Sequence, residues 1–452
     1  MSSNLGNGKL AQGALSTMDC VMLLMGGMIG SAIFSLSGVT YAMAGPATIL
    51  TWIIAAVLLL VYGLVVAELA CLYPVSGGLY VYPREILGNT KAQKEFWGWL
   101  SAWAYLNPSI LGTSFAAIFV STYLGTIIPV VSEHQILFAI LGCAICGILN
   151  IFKISVMGKV NLVLVLGLVL TLIIYSLFGF TSFSPENFTP FFTQGSGGAT
   201  GFLGAIPNAM LAYGAIVAIA TIGAEVKNPK KTIPKAMIIA IIATTILYVL
   251  VVIATTGMLD TKSFVDNHSL QYYPLYAAAS AALPESAAWL SIIISLGALI
   301  ALFTTMLVLI MSAGRTIMAA AQSGFLPGFL GKISPRTQTP VAAIVLSTVA
   351  AAAIACFPQF TREIVSTGAT CKLVTIVIMV YTLLVARKKI TPEADNFKLP
   401  GGSFLPILIV ALLVAFMFLQ GAAPLVLAGI WFAIGLVIYV IFLGLSKNKG
   451  TV

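Results

Sequence analysis

Charge is what this chain has least of. Of its 452 residues 60% are hydrophobic and only 8% are Asp, Glu, Lys or Arg, where soluble globular domains carry roughly 25%. A water-soluble domain as the main body of the chain is excluded. Histidine occurs twice, at His134 and His268, both expected in outer loops, so the clustered His, Asp or Cys set that a membrane enzyme requires is missing. There is no glycine-rich loop of the Walker type to cradle phosphates, which disfavours ATP-driven work. No hydrophilic stretch is long enough for a separate domain; the longest candidates are Thr181 to Thr200 and Leu259 to Pro284. The six cysteines lie in or beside apolar stretches. Cys143-Ala-Ile-Cys146 has metal-site spacing without further ligands nearby and reads as apolar packing, because free cysteine behaves as a small hydrophobe. No metal, cofactor or disulfide is expected.

What is present is apolar sequence of membrane length. Cys20 to Ala67 and Leu399 to Ser446 contain no charge, and each is divided by a turn containing glycine and proline. At about 20 apolar residues per crossing, twelve spans are expected, near 17–43, 46–72, 96–126, 134–151, 157–180, 202–224, 236–257, 286–320, 341–357, 363–386, 404–420 and 424–445. Residues 1–16 form a polar tail without the features of a cleaved secretory signal.

The net charge of +9 raises the question of a nucleic-acid partner. With the N-terminus inside and twelve spans, however, nineteen of the 22 basic residues fall on the inner side, which is the positive-inside pattern. Only Lys262 and Arg362 fall outside, and Lys372 falls within a span. The basicity therefore reflects topology, with both termini cytoplasmic, in a multi-pass protein of the cell membrane whose partner is the lipid bilayer and not a nucleic acid.

Two spans are interrupted. Gly26-Gly27-Met28-Ile29-Gly30-Ser31 breaks the first and Ala212-Tyr213-Gly214 breaks the sixth. Glycine is a poor helix former, and the backbone groups it frees cannot be satisfied by hydrocarbon. Broken helices at corresponding places in two halves mark inverted-repeat transporters that hold cargo at the midplane. A separation of five spans, being odd, inverts the second copy. The expected organisation is a five-helix repeat over 17–180, a second, inverted repeat over 202–389, and two further helices over 404–445. The competing reading of these glycines is close helix packing, since Gly26 and Gly30 have the four-residue spacing common at membrane interfaces.

The motifs point the same way. Gly26-Gly-Met-Ile-Gly-Ser-Ala-Ile-Phe34 resembles the first-helix signature of the amino acid, polyamine and organocation transporter superfamily. Ala67-Glu68-Leu69, Tyr73-Pro74, Gly77-Gly78, Tyr80 and Arg84-Glu85 resemble its following segment. Leu211-Ala-Tyr-Gly214 with Glu225-Val-Lys-Asn-Pro-Lys230 and Ile233-Pro234 resembles its helix 6 and loop. Gly314-Arg315, Ala319-Ala320-Ala321, Gly324-Phe325-Leu326-Pro327 and Thr339-Pro340 resemble the end of helix 8 and its loop. These run in family order over ten helices. The resemblance implies an all-α LeuT-like bundle of twelve transmembrane helices, a five-plus-five inverted repeat with discontinuous helices 1 and 6, that carries amino acids by alternating access. An amine exchanger and a non-transporting sensor of the same fold are the alternatives. Three positions depart from the pattern: Ala32 replaces a glycine, Leu211 an aromatic gate, and Leu309 the tryptophan of the arginine exchangers, which removes a cation–π platform.

A broken helix suits a zwitterion. The N–H groups that open the outer half-helix, at Gly30, Ser31 and Ala32, favour a carboxylate, with a hydroxyl from Ser31. Freed carbonyls at Met28, Leu211 and Gly214 can accept from an ammonium, and by resemblance these positions, with Ile29, bind the backbone of an amino acid. Matching positions for the cargo side chain are Ser101, Ala102, Tyr105 and Leu106 on span 3, Leu309 on span 8 and Ala369 on span 10. Tyr213 reads equally as a packing aromatic and as a gate.

Lys372 is a costly ionisable group inside a span, three residues from Ala369 and so on the same helical face. Its roles remain open between coupling, selectivity for an anionic cargo, and a structural contact through snorkelling or a carbonyl. Glu68 and Glu225 read as inner gates. Superfamily members often differ in coupling ion. The helix 5 lysine of some is absent here, and Thr304 and Thr305 leave sodium open beside protons. Neutral or acidic cargo, in symport or exchange, is the expectation; the oligomeric state is not legible.

Overall fold

The computed structural model describes residues 9–192, 198–266, 271, 273–282, 284, 289–391, 396–419 and 422–448. The protein is an all-α, multi-span membrane bundle. Among the described residues nine helical segments are long and apolar enough to cross a membrane, and Thr17–Met28, Val341–Ala355 and Phe404–Phe416 are shorter apolar helices.

The first apolar run is two helices. α1 (Thr17–Met28) starts at a capping box in which Ser16 and Asp19 bond each other's backbone N–H, and α2 (Ser31–Ala44) begins after Ile29 and Gly30 leave helical geometry. α3 (Thr48–Leu72), the short helix α4 (Gly78–Leu87), α5 (Lys91–Gly125), α6 (Gln135–Ile151) and α7 (Ile154–Gly179) follow. α8 (Gly198–Ala212) ends where the sequence predicts a break, and Tyr213 leads into a 3-10 helix, Gly214–Thr221. Then come α9 (Pro229–Met258), two short helices α10 (Thr261–Asp266) and α11 (Pro274–Ala282), α12 (Trp289–Gln322), α13 (Val341–Ala355), α14 (Thr361–Lys389), α15 (Phe404–Leu419) and α16 (Ala422–Asn448). The span expected from residue 286 begins in residues that are not described.

α5 packs along α12 and α14, α1 against α7 and α9, α2 against α8, and α3 against α9. The centre is aromatic: Trp52, Tyr213 and Tyr248 pack edge to face and are fully buried. On the outside of α7, Val163, Leu166, Leu170 and Leu177 are exposed at helical spacing, the stripe that lipid covers. The outer segment after α7 is tied down, as its aromatics predict. Ser184 N and Asn187 Nδ2 each donate to Gly257 O at 2.8 Å, and Ala47 N donates to Phe191 O at 3.1 Å. All six cysteines are free, and among the described residues no group of His, Cys, Asp or Glu is arranged to hold a metal.

Candidate functional site

A helix that stops in mid-bundle leaves room as well as free backbone groups. Where the ends of α1 and α8 meet α5, α12 and α14 there is a cavity of about 110 Å³. Gly27, Ala32 and Leu36 come to it from the first break, and Leu211, Gly214, Ala215 and Val217 from the second. α3 contributes Tyr62, and α5 contributes Tyr105, Pro108, Ser109, Leu111, Gly112 and Phe115. α12 adds Thr305 and Leu309, and α14 adds Ile364, Val365, Gly368, Lys372 and Thr375. The wall is mostly apolar, and among the described residues Lys372 is its one charged residue.

Eight of the positions named from sequence line this cavity: Gly27, Ala32, Tyr105, Leu211, Gly214, Thr305, Leu309 and Lys372. Met28, Ile29 and Gly30 form the break beside it. A Cβ on Gly30 would run into the hydroxyl and Cβ of Thr305, so close packing and the break are served by one glycine. Ser31 opens α2, but its side chain lies outside the described residues. Gly26 abuts Asn161 of α7, which is the packing role. Tyr213 lies in the aromatic cluster with Trp52 and Tyr248.

Other positions lie elsewhere. The Ser101 hydroxyl donates to Leu79 O at 2.5 Å, and Ala102 packs with Tyr80, Ala319 and Ala320. Leu106 packs with Ala313, Ile317 and Leu330. These residues are about one to three helical turns away from Ser109 and Gly112, which do line the cavity. On α14 the lining residues are Gly368 and Lys372, four apart, with Ala369 turned one position away. The spacing from Lys372 itself contains that signal: 364, 365, 368, 372 and 375 lie on one face. Tyr62, Leu36 and Phe115 carried no signal that separates them from ordinary apolar packing.

Lys372 reaches the second break. Its Nζ is 3.5 Å from the carbonyl oxygens of Met210 and of Leu211, and a Cβ on Gly214 would collide with it. Below the cavity Tyr105 OH bonds Ser312 Oγ, which is 3.1 Å from Thr221 Oγ1. Thr304 Oγ1 donates within its own helix, to Ala301 O at 3.0 Å. Thr305 Oγ1 is buried without a hydrogen-bond partner among the described residues.

Both predicted gate carboxylates are paired, with cations that the sequence assigns to the inner side. Arg387 Nε and Nη2 donate to Glu68 Oε1 and Oε2 at 2.8 and 2.6 Å, and Leu399 N also donates to Oε2, at 2.8 Å. Arg315 Nε donates to Glu225 Oε1 at 3.1 Å.

Curated proteins match this chain over most of its length. It is 27% identical over 458 residues to the branched-chain amino acid permease BcaP of Lactococcus lactis subsp. cremoris (strain MG1363), covering 96% of this chain and 95% of that protein. It is 27% identical over 448 residues to the methylthioribose transporter of Bacillus subtilis (strain 168), covering 95% and 93%. It is 28% identical over 357 residues to the aspartate-proton symporter of the same organism, covering 74% and 65%. The sequence model of the amino acid permease family matches residues 15–444. With the motifs in order and the match spanning the bundle, the chain belongs to the amino acid permease family of the amino acid, polyamine and organocation superfamily, a family of transporters and not of enzymes.

Proposed function

We propose that the protein is a secondary active transporter that carries amino acids across the cell membrane by alternating access, with neutral or acidic cargo, in proton symport or exchange. The observation that carries this reading is the cavity bounded by both break points, with Gly27 and Ala32 on one side and Leu211 and Gly214 on the other. In this reading the bundle is a five-plus-five inverted repeat over 17–180 and 202–389, followed by 404–445, with discontinuous helices 1 and 6 and cytoplasmic termini. Cargo occupies the cavity near Ser31, Ala32, Tyr105, Leu309 and Lys372. The Glu68–Arg387 and Glu225–Arg315 pairs hold the inner side closed.

The apolar wall supports a neutral aliphatic side chain, consistent with two relatives named as branched-chain amino acid permeases. Lys372 supports a carboxylate and opposes cationic cargo by like-charge repulsion in a site of low dielectric. Counterflow in proteoliposomes tests the proposal. Internal neutral or acidic amino acid is expected to accelerate uptake of the labelled one, whereas arginine, lysine and putrescine do not. Binding without exchange would assign the chain to the sensor class. A second measurement, uptake under an imposed pH gradient, separates proton symport from exchange.

A further inference from the structure

A zwitterionic cargo needs acceptors for its ammonium, and the free carbonyls at the two breaks are the obvious supply. In this chain the three that the sequence offers for that role, at Met28, Leu211 and Gly214, already have donors. The Met28 carbonyl accepts Gly30 N at 2.7 Å and the Tyr248 hydroxyl, which uses both of its lone pairs. The Met210 carbonyl accepts Tyr213 N at 3.3 Å, and Lys372 Nζ lies 3.5 Å from it and from the Leu211 carbonyl. Gly214 opens a 3-10 helix, whose i to i+3 pattern employs its carbonyl. The chain's own ammonium occupies the notch over Gly214, where even a methyl group would collide with it.

The matching anion is not supplied by the protein. Glu68 and Glu225 are committed to Arg387 and Arg315, and no carboxylate lines the cavity among the described residues. Two further donors face the cavity. Ala32 belongs to the first turn of the 14-residue helix α2, whose leading N–H groups lack acceptors within the helix and present the positive end of its dipole. Independently, the hydroxyl of Thr305 lines the cavity, is 7% exposed and has no hydrogen-bond partner among the described residues. A desolvated cation flanked by unfilled donors is completed by an incoming anion, through charge-assisted hydrogen bonds.

We infer that the recognised group is the cargo's carboxylate, set between Lys372, Thr305 and the start of α2, and that an α-amino group is not required. Short aliphatic carboxylates without an amine are therefore ligands of the same cavity, their tails against Leu36, Leu111, Phe115 and Ile364. This rests on the cavity being the transport site.

The test uses the purified full chain and matched probes: valine, isovalerate and isobutylamine, then alanine, propionate and ethylamine. Ligands that prefer the native state raise its unfolding temperature. The carboxylate of at least one set is expected to stabilise at a concentration within about threefold of its amino acid, a difference of under ~1 kcal/mol, and the amines are expected to do nothing. Lys372→Met should weaken the carboxylate by about tenfold or more, while Lys372→Arg retains it. If the amino acids stabilise and the carboxylates need more than about tenfold higher concentration, the inference is overturned and the amino acid reading stands. Carboxylates that bind where the amino acids do not would support the inference and remove the amino acid reading. Silence from both sets overturns the two together, as undiminished carboxylate binding by folded Lys372→Met overturns the inference alone. Should Lys372→Met not fold, the wild-type comparison of acid with amino acid decides.

Discussion

Arg315 on α12 and Glu225, which follows the second helix break, form an ion pair with almost no access to water, at 1% and 0% side-chain exposure. Nε and Nη2 reach the two carboxylate oxygens at 3.1 and 3.4 Å, so the guanidinium grips the carboxylate with two donors. Removing one partner strands a buried charge, which costs about 3–5 kcal/mol. Glu225→Gln is expected to lower the unfolding temperature sharply, and Glu225→Gln with Arg315→Met to recover part of that loss. A double variant as unstable as the sum of the two singles would mean that the residues do not act as a pair.

Gly30 has no room for a side chain. A Cβ there would collide with Thr305 Oγ1 and come within 3.0 Å of Thr305 Cβ. Gly30→Ala is expected to destabilise by about 1–3 kcal/mol through overpacking and to abolish uptake. Thr305→Ala in the same chain removes the hydroxyl and is expected to restore folding more than transport. Thermal unfolding and uptake measured side by side check this, and unaltered uptake by Gly30→Ala would remove the first break from the site.

Gly214 and Lys372 should be energetically coupled. Gly214→Ala puts a methyl where Nζ lies and pushes the ammonium away from the Met210 and Leu211 carbonyls. In Lys372→Met the terminal methyl can move at little cost, so adding Gly214→Ala to it is expected to do much less harm than in the wild-type chain. The interaction energy from a double-mutant cycle on unfolding is expected at about 0.5–3 kcal/mol. A value indistinguishable from zero would count against the lysine's seat in the helix break.

Acid should act on the short helix α4. Glu85 receives Lys94 Nζ at 2.6 Å and contacts Arg84. Partial burial pushes its carboxyl upward, but the Lys94 hydrogen bond and the Arg84 and Lys94 charges outweigh this and hold it below its ordinary value. A carboxyl lowered in the folded state contributes stability that is present above its unfolded value, about 4.3, and lost as the pH falls through the folded one. Because these side chains are substantially exposed, Glu85→Gln is expected to cost no more than about 0.5 kcal/mol at neutral pH. Wild type and variant should converge in unfolding temperature as the medium is acidified below that range. A difference that stays constant with pH would show that the charge is not its source.

Much of the architecture is legible in local sequence because its causes are local. Runs of apolar residues long enough to cross a bilayer identify the helices, and the poor helix propensity of glycine puts the interruptions over Gly26 to Ser31 and Ala212 to Gly214, the stretches in which α1 and α8 end. The aromatics between Phe183 and Phe192 mark a packed outer segment. What local sequence does not carry is the level along a helix that meets the cavity. Ser101 and Ala102 were matched to the site, yet the face of α5 that meets the cavity begins at Tyr105 and runs through Ser109 and Gly112.

By itself, then, the sequence determined a charge-poor helical membrane protein of the amino acid permease family, interrupted at two glycine-bearing points and carrying one lysine in mid-span. Tertiary structure alone decided the partners. Glu68 meets Arg387 across 319 positions, Glu225 meets Arg315 across 90, and Lys372 meets Leu211 across 161. The reason is physical. Hydropathy says that a helix lies in lipid, but lipid and protein interior are alike to an apolar side chain. The facing of each helix is set instead by close packing and interhelical hydrogen bonds, which exist only once all the helices are assembled.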